Sequence, residues 1–224
     1  MDPNMKKRKR HDDTTRGVKC KVYDPSLKIA NICATADYKC FQDIDLFQVA
    51  LHFKNVEYNA NFAAVLLRRS DRVQGSMVVL LLFRSGKVNI VGVKSRERAL
   101  YWLNRLRNEL HDALNITYRA PLVMRVSMIT CDSTLDAHSN TALDVRSFFD
   151  KHIELSIWEP EIFPGLKFSP FDNKITILGF ESLKYVITGA KTLDDCHRAS
   201  LRFRQLATPH LKTLHPNGNC DPLH

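Results

Sequence analysis

The chain lacks a hydrophobic run long enough to cross a membrane. The apolar run Val78–Phe83 is far shorter than the roughly 18 apolar residues of a membrane span, and it is typical of a buried strand. The basic N-terminus is followed by no apolar segment, so it does not have the pattern of a secretory signal. We therefore expect no membrane partner.

The sequence also lacks the motifs of metal sites and enzymes. Its six cysteines form no Cys-x-x-Cys pair, and its nine histidines are scattered without the spacing of a zinc site. We find no nucleophile–base pair and no glycine-rich phosphate loop. We therefore expect no metal, no cofactor and no enzymatic activity, and the cysteine pattern favours a reduced, intracellular protein.

Acidic residues are outnumbered by basic ones. Lys and Arg number 33 against 24 Asp and Glu, which gives a formal net charge of +9. This excess favours a polyanionic partner such as nucleic acid or an anionic membrane, although a merely solvated basic surface is the alternative. With 224 residues, 44% of them hydrophobic, the chain can form one large domain or two small ones with a sizeable core.

Two segments of the chain repeat one another. Leu81–Lys94 matches Leu178–Lys191 at a spacing of 97 positions. Glu57–Phe62, which precedes the first segment, matches Trp158–Phe163, which precedes the second. A repeat this long indicates a duplicated half-domain and predicts an object with pseudo-twofold symmetry.

Hydrophobic periodicity predicts the same order of elements in both halves. The predicted strands are 27–36, 61–67, 77–84 and 88–91 in the first half and 122–131, 163–168, 175–180 and 185–188 in the second. The predicted helices are 43–53, one capped by Ser95, 144–153, and one from Thr192 to about 207. Antiparallel strands combined with helices in this order predict an α+β fold.

Two local differences between the repeats predict structural differences. The first repeat has four extra residues between its matching phenylalanines, and we expect them in a surface loop at 70–76. Leu183 stands where the first repeat has Gly86. Because leucine resists the positive φ that glycine allows, we expect the second turn to have another geometry.

The repeated motifs resemble those of the TATA-box-binding protein family. The second repeat carries Glu159-Pro160-Glu161-Ile162-Phe163-Pro164-Gly165-Leu166 and Thr188-Gly189-Ala190-Lys191, and the first carries Glu57-Tyr58-Asn59, Phe62-Ala63-Ala64-Val65 and Ser85-Gly86-Lys87. The resemblance covers residues 26–207. It implies a duplicated saddle: one curved antiparallel sheet, helices on its convex face, and a concave working face.

The resemblance divides the chain into four parts. Residues 26–118 and 119–207 are the first and second repeats. Residues 1–25 are a basic tail whose Lys6–Arg10 run is typical of a nuclear-import signal, a nonspecific nucleic-acid arm or a solvated tail. Residues 208–224 contain several prolines and are predicted to be loose.

In this family the concave face lies on the minor groove of DNA and bends it, so the resemblance implies roles for three sets of residues. The wedges between base steps are Phe62, Phe83, Phe163 and Phe180. The groove face comprises Asn31, Cys33, Thr35, Leu81, Asn89, Val91, Val126, Met128, Leu178, Val186 and Thr188. The phosphate contacts are Arg68, Lys87, Lys94, Lys184 and Lys191.

The base-reading centre departs from the family pattern of one Asn and one Thr per repeat. The first repeat keeps Asn31 but has Val91 in place of the threonine, and the second keeps Thr188 but has Val126 in place of the asparagine. Valine cannot hydrogen-bond the acceptors of an A·T minor groove. We therefore expect an altered or relaxed preference for the DNA sequence, while the phenylalanines can still wedge between base steps.

The resemblance also implies partners. Glu159, Glu161 and Ile162 match the loop that docks transcription factor IIB in the family. The sequence thus predicts a divergent TATA-box-binding protein, a specialised paralogue or virus-encoded, acting in the nucleus or at a site of viral transcription with a factor IIB-like protein and RNA polymerase. An interaction module with weak DNA binding, carried to promoters by a partner, is the alternative. The apolar face also makes weak self-association plausible.

Overall fold

A computed structural model describes residues 23–171 and 174–214. The first repeat contains β1 (Lys28–Asp37), α1 (Leu46–His52), β2 (Val56–Glu57), β3 (Ala64–Asp71), β4 (Ser76–Phe83), β5 (Lys87–Val93) and α2 (Arg96–Leu114). The second contains β6 (Val123–Thr134), β7 (Thr141–Leu143), α3 (Val145–Lys151), β8 (Ser156–Ile157), β9 (Leu166–Phe171), β10 (Ile175–Gly179), β11 (Lys184–Ala190) and α4 (Leu193–Ala207), and β12 (Leu211–Thr213) follows it. Across these residues, no helix is both long and apolar enough to span a membrane.

Ten strands form one antiparallel sheet that has the same plan on both sides of its centre. The order is β2-β3-β4-β5-β1-β6-β11-β10-β9-β8, so β1 and β6 lie together in the middle. Each flank is built from the same hairpins in the same sequence. This arrangement confirms the predicted α+β fold and its pseudo-twofold symmetry.

The central pairing follows the 97-residue spacing of the sequence repeat. Ile32 pairs with Ile129, which lies 97 positions later and is therefore its own twofold mate. The twofold mates of Asn31 and Cys33 are Met128 and Thr130, so the pair Asn31–Thr130 is related by the pseudo-twofold axis to the pair Cys33–Met128. One bulge in each strand, at residues 30 and 127, preserves the symmetry.

The helices cover only one face of the sheet. Alternate strand residues such as Leu80, Leu82 and Ile90 are buried and pack with the helical residues Leu103 and Leu106 in one core cluster. Their neighbours in the strands point to the other side and stay partly exposed. We call this uncovered side of the ten-stranded sheet the open face.

Both long helices begin at the predicted caps. Ser95 Oγ accepts a hydrogen bond from the Arg98 N–H at 3.2 Å, and Thr192 Oγ1 accepts one from the Asp195 N–H at 3.1 Å. The short helix α1 begins at Leu46, later than the predicted residue 43, because Asp45 is its N-cap. The hydroxyl and carboxylate oxygens thus satisfy N–H groups that the first helical turn leaves unpaired.

A buried carboxylate ties the hairpin β3–β4 to α2. Asp71 is buried and accepts hydrogen bonds from the Trp102 indole at 2.8 Å and from Arg98 Nε at 2.9 Å. The N–H groups of Val73 and Gln74 also donate to it, at 3.0 and 3.2 Å. The one carboxylate therefore closes the hairpin turn and fixes the helix above it.

A second network anchors the segment before β1 to the second repeat. Arg204 of α4 donates to Asp24 at 3.0 Å, and Tyr185 and Ser200 also donate to this carboxylate. Burial alone would raise the pKa of Asp24, but the hydrogen bonds from Ser200 and Ser26 and the charge of Arg204 lower it from 3.8 to about 2. The chain start of the first repeat is therefore held by the last helix of the second.

Several sequence predictions are wrong in detail. Residues 208–214 are not loose, because a 3₁₀ turn at Thr208–His210 leads into β12, which pairs with β7. The four extra residues of the first repeat do not form a loop at 70–76. They lengthen the hairpin, since β3 and β4 have 8 residues each while β9 has 6 and β10 has 5. The basic run 6–10 lies outside the described residues.

The prediction for the second turn is also wrong. Leu183 adopts φ +67°, close to the +82° of Gly86, and its N–H donates to the Phe180 carbonyl as the Gly86 N–H donates to that of Phe83. The Leu183 side chain packs against the core, and its carbonyl accepts from the Leu135 N–H. These contacts offset the cost of the left-handed conformation, which is about 1–2 kcal/mol for a residue with a Cβ.

We expect Asp24→Asn to destabilise the protein by about 2 kcal/mol at pH 7, because it removes a buried charge that accepts several hydrogen bonds. The folded-state pKa lies below the unfolded value of 3.8, so the stabilisation is complete above that value and is lost as the pH falls towards about 2. Urea unfolding at a series of acidic pH values measures both effects.

The exposed Asp43, changed to Asn, is the matched control and should leave the acid dependence unaltered. If Asp24→Asn and Asp43→Asn proteins lose stability in parallel on acidification, the assignment of this network as an acid-sensitive anchor is wrong.

Candidate nucleic-acid interface

Most of the predicted groove residues lie together on the open face. They alternate along their strands with buried core residues, and their side chains remain partly or fully exposed. The residues that the structure brings to this face are Asn31, Cys33, Thr35, Leu81, Asn89, Val91, Met128, Leu178, Val186 and Thr188. Their shared surface is apolar over much of its area and crosses both repeats.

Val126 does not belong to this surface. It pairs with Ala34, a buried residue, and packs against the core cluster on the helix side of the sheet. The bulge at residue 127 shifts the alternation by one residue, which moves the side chain of residue 126 to the opposite face. The prediction for Val126 was wrong because simple alternation from Met128 does not include the bulge.

The open face also carries four residues that the sequence did not identify: Lys28, Arg125, Thr130 and Asp132, which pair with open-face residues of the neighbouring strand. The bulges bring Lys28 and Arg125 to this face, whereas Thr130 and Asp132 follow Met128 by simple alternation. By the 97-residue spacing, Lys28 is the twofold mate of Arg125, and Met128 is the mate of Asn31. The matching spacings of the repeat could have revealed these pairs, but the bulge positions could not be read from the sequence.

The amide of Asn31 has a defined orientation. Its Oδ1 accepts a hydrogen bond from the Gly92 N–H at 2.7 Å, so its Nδ2 must be the group directed elsewhere. One Nδ2 hydrogen contacts Cys33 Sγ at 3.4 Å. Because an amide nitrogen carries two donors, Asn31 can still offer one hydrogen to an acceptor above the face.

The twofold-related position in the second repeat is apolar. Met128 stands where the first repeat has Asn31, and its Sδ accepts the hydroxyl of Thr188 at 3.3 Å. Val91, the mate of Thr188, has no polar group at all. The centre of the face therefore carries an amide on one side and a thioether with a hydroxyl on the other.

Two pairs of phenylalanines lie at the ends of the face. Phe163 and Phe180 form an edge-to-face pair with centroids 5.9 Å apart, which Gly165 permits, because a Cβ there would lie 2.5 Å from the Phe163 ring. In the described part of the chain Phe62 and Phe83 form no such ring contact. Phe62, in the loop before β3, is 51% exposed, and Phe163, in the loop before β9, is 42% exposed.

Basic side chains surround the apolar area. Lys87 and Lys184 begin the twofold-related strands β5 and β11, and Lys94 and Lys191 follow the ends of the same strands. Arg68, by contrast, forms an exposed ion pair with Glu57, with Nη2 2.9 Å from Oε1. The four lysines therefore present positive charge on both sides of the face, while the charge of Arg68 is balanced locally.

The loop before β9 carries the predicted protein-docking residues. The N–H groups of Ile162 and Phe163 donate to the Glu159 carbonyl, both at 2.9 Å, which turns the loop tightly. Ile162 is 81% exposed, and Glu159 and Glu161 are exposed beside it. The loop therefore presents the apolar side chain of Ile162 at its tip, beside the carboxylates of Glu159 and Glu161.

The described residues contain no group of three His, Cys, Asp or Glu side chains placed to hold a metal ion. On the open face itself, burial raises the pKa of the Cys33 thiol, although the Asn31 hydrogen bond partly opposes this. The thiol therefore stays neutral and belongs to the apolar surface.

These features define a duplicated saddle-type α+β protein whose helix-free sheet face is apolar, edged by lysines and terminated by phenylalanines. A family model described as "Transcription factor TFIID (or TATA-binding protein, TBP)" matches residues 26–113 and 126–207. The chain belongs to the TATA-box-binding protein family.

Individual relatives agree with this assignment. The TATA-box-binding protein of Methanocaldococcus jannaschii is 36% identical over 180 residues, which are 80% of this chain and 92% of that protein. The TATA-box-binding protein of Sulfurisphaera tokodaii is 31% identical over 179 residues, 79% of this chain and 84% of that protein. The solved structure "Methanococcus jannaschii TBP" superimposes with a TM-score of 0.70 at 32% identity, covering 82% of this chain and 99% of that one.

We expect Gly165→Ala to separate the rings of Phe163 and Phe180, because the new Cβ needs the space that the Phe163 ring occupies. The rings are partly exposed and can swing outward, so the loss of stability should be about 1 kcal/mol, the low end for overpacking. A crystal structure and urea unfolding measure the two effects.

Ala64→Gly is the matched control, because Ala64 pairs with Phe83 across β3 and β4, while a Cβ on Gly165 would lie 2.8 Å from the Phe180 ring. It should leave the second ring pair unchanged. An unaltered Phe163–Phe180 pair in Gly165→Ala would show that the glycine does not set the ring geometry.

Proposed function

We propose that the protein is a transcription initiation factor that binds promoter DNA through the minor groove, bends it by phenylalanine wedging, and recruits a factor IIB-like protein and RNA polymerase. The observation that carries the proposal is the presence of two phenylalanine pairs, Phe62 with Phe83 and Phe163 with Phe180, at the two ends of an apolar sheet face, each with one exposed and one partly exposed ring. Family membership supports the same reading.

The chemistry of the open face suits a minor groove that has been flattened and unstacked. Apolar side chains such as Leu81, Leu178 and Val186 cover sugar and base edges without requiring many hydrogen bonds. Phenylalanines at the ends can enter base steps, and the unstacking cost is offset by the larger surface that bent DNA contacts. An A·T-rich groove fits best, since it presents only acceptors to Asn31.

The lysines at the edges would contact phosphates. Lys87 and Lys184 lie at twofold-related positions, which matches the antiparallel arrangement of the two backbones in a duplex. A lysine is a point charge that contributes affinity without base information. Arg68 is a weaker candidate, because Glu57 already balances its charge.

The second candidate function is a protein-interaction module that binds DNA weakly. It is favoured by the centre of the open face, which carries fewer hydrogen-bonding side chains than the pattern of one Asn and one Thr per repeat. Met128 and Val91 occupy positions where a hydrogen-bonding residue stands in the other repeat. A protein with weak intrinsic DNA affinity, brought to promoters by its partner, would need only the exposed loop at Glu159–Ile162. Self-association through the open face is a further proposal and would compete with DNA.

The place of action would be wherever the promoter DNA is: the nucleus, or a site of viral transcription if the protein is virus-encoded. Both are proposals, and both follow from the DNA partner.

The first test compares wild type with Phe163→Ala/Phe180→Ala on an A·T-rich duplex labelled at both ends. Fluorescence anisotropy reports binding, and energy transfer between the ends reports bending, over a series of salt concentrations. We expect tight, bent binding by wild type and at least about a tenfold loss with loss of bending in the double variant, because wedging supports the bent contact surface.

Phe41→Ala is the matched control, since Phe41 is exposed but packs on Arg119 outside the sheet strands. Weak, unbent binding by wild type that disappears with salt and ignores the double substitution would reduce the interaction to charge alone. The interaction-module function would then replace the present proposal.

The partner proposal predicts that Glu159→Lys/Glu161→Lys abolishes recruitment of a factor IIB-like protein but leaves binding to DNA intact. The two carboxylates flank the exposed Ile162, so reversing their charge would repel a basic pocket. Gel-shift of the ternary complex measures this. Glu154→Lys is the control outside the loop tip, and equal loss with both variants would argue against docking at this loop.

A further inference from the structure

The last segment that the structure describes, residues 208–214, leaves the end of α4 and returns to β7 and α3, and we call it the strap. Its first part is the 3₁₀ turn Thr208–His210, and its second part is β12, which pairs with β7. The family model ends at residue 207, so the strap lies beyond the region that the model matches. The proposed function uses none of the strap residues.

Three contacts hold the strap through groups whose charge is constant near neutral pH. The Leu211 side chain packs against the core cluster. The Asp144 N–H donates to the His210 carbonyl at 2.8 Å. Lys212 Nζ lies 3.4 Å from Glu181 Oε1. None of these three contacts involves a side chain that titrates near neutral pH.

The fourth contact is different, because it involves the imidazole of His210. Its Nδ1 lies 2.8 Å from Ser147 Oγ on α3. Its ring centroid lies 5.5 Å from that of Phe148, which is fully buried, and 5.9 Å from that of His152. The His152 ring in turn lies 4.6 Å from the Phe148 ring. One imidazole on the strap and one at the end of α3 thus pack on the same phenylalanine.

Within the described structure, positive charge outweighs negative charge around this histidine pair. The charged side chains that border the pair are Asp144, Arg146, Asp150 and Lys151 of α3 and Arg202 of α4. Arg146 and Asp150 neutralise each other, with Nε 3.3 Å from Oδ2. Asp144 Oδ1 accepts the Ser147 N–H at 3.0 Å as the cap of α3. The charges of Lys151 and Arg202 therefore oppose a positive imidazole.

The surroundings lower the pKa of both imidazoles below the ordinary value of 6.5. For His152 burial is the largest cause, and the charges of Lys151 and Arg202 add to it. For His210 burial is again the largest cause, His152 and Lys151 add to it, and Asp144 partly opposes them. Opening the strap returns the imidazoles to water, where their pKa is higher. The closed strap therefore has its full stability above pH 6.5 and loses stability as the pH falls from there towards the lowered pKa values.

We propose that the strap is a proton-controlled latch: it stays closed on α3 while His152 and His210 are neutral, and it opens in mildly acidic solution. Opening uncovers the Phe148 ring and leaves β7 as an edge strand to which another chain can add. The latch does not involve the open face, so it does not depend on DNA binding. It also differs from the Asp24 network, whose stabilisation is lost at lower pH, between 3.8 and about 2.

Hydrogen exchange followed by mass spectrometry on the full chain tests the latch. Peptides that cover 210–214 and 141–143 report the strap and β7, and peptides from β4 and β5 report global opening. Each rate is divided by the rate of the unfolded chain at the same pH, which removes the intrinsic pH dependence of exchange. Between about pH 7.5 and about pH 5.5 we expect the protection of the strap and β7 to fall by at least about threefold, because the open state binds more protons. The protection of β4 and β5 should not change.

His152→Gln/His210→Gln is the decisive variant, because glutamine does not titrate and its amide can still bond to Ser147. Protection of its strap should be independent of pH over this range. His52→Gln is the matched control, since His52 is exposed at the end of α1, the corresponding helix of the first repeat, and this variant should keep the wild-type response. If the double variant leaves the strap open at every pH, His152→Gln alone decides: it keeps the contact between His210 and Ser147 and should show a smaller pH response than wild type.

Three results would overturn the latch. The first is equal protection of the wild-type strap at both pH values. The second is a full pH response in the glutamine variants. The third is a parallel loss of protection in β4 and β5, which would mean that acid unfolds the whole domain. None of these results bears on the proposed DNA function, whose tests concern the open face.

Discussion

The pairing of β1 with β6 is the constraint on which the rest of the molecule depends. It joins the two repeats into one sheet, and its register places Ile32 opposite Ile129 at the pseudo-twofold axis. One bulge per strand, at residues 30 and 127, decides which side chains reach the open face and which enter the core. Because a shift of one residue moves every side chain to the other face, this register fixes both the core and the candidate interface.

The sheet can leave one face open because the other face is fully covered. The helices bury a continuous apolar core on their side, so stability does not require the open side to be packed. The backbone approaches itself closely at matching positions of the two repeats: a Cβ on Gly92 would lie 2.1 Å from the Met77 carbonyl oxygen, and one on Gly189 would lie 2.2 Å from that of Lys174. Positions of this kind are occupied by glycine in both repeats because no other residue fits.

Duplication supplies a scaffold, and divergence has made its two halves chemically unequal. The backbone keeps the symmetry even where the sequence departs from it, as at Leu183, which adopts the left-handed conformation of Gly86. The side chains on the open face do not keep it: an amide at Asn31 corresponds to a thioether at Met128, and Thr35 corresponds to Asp132. Symmetry of the fold therefore does not imply equal chemistry in the two halves of the open face.

The sequence by itself determined the duplication, the α+β class and the family, because each follows from motifs and spacings that recur after a fixed interval. The same spacings identified the positions of the four phenylalanines, whose role as wedges stays a prediction. It did not determine the face on which Val126 lies, the presence of Lys28 and Arg125 on the open face, or the pairing of β12 with β7. Those features depend on strand register and bulges, which are set by contacts between residues far apart in the chain. Local patterns contain no information about such contacts, so only the tertiary structure decided them.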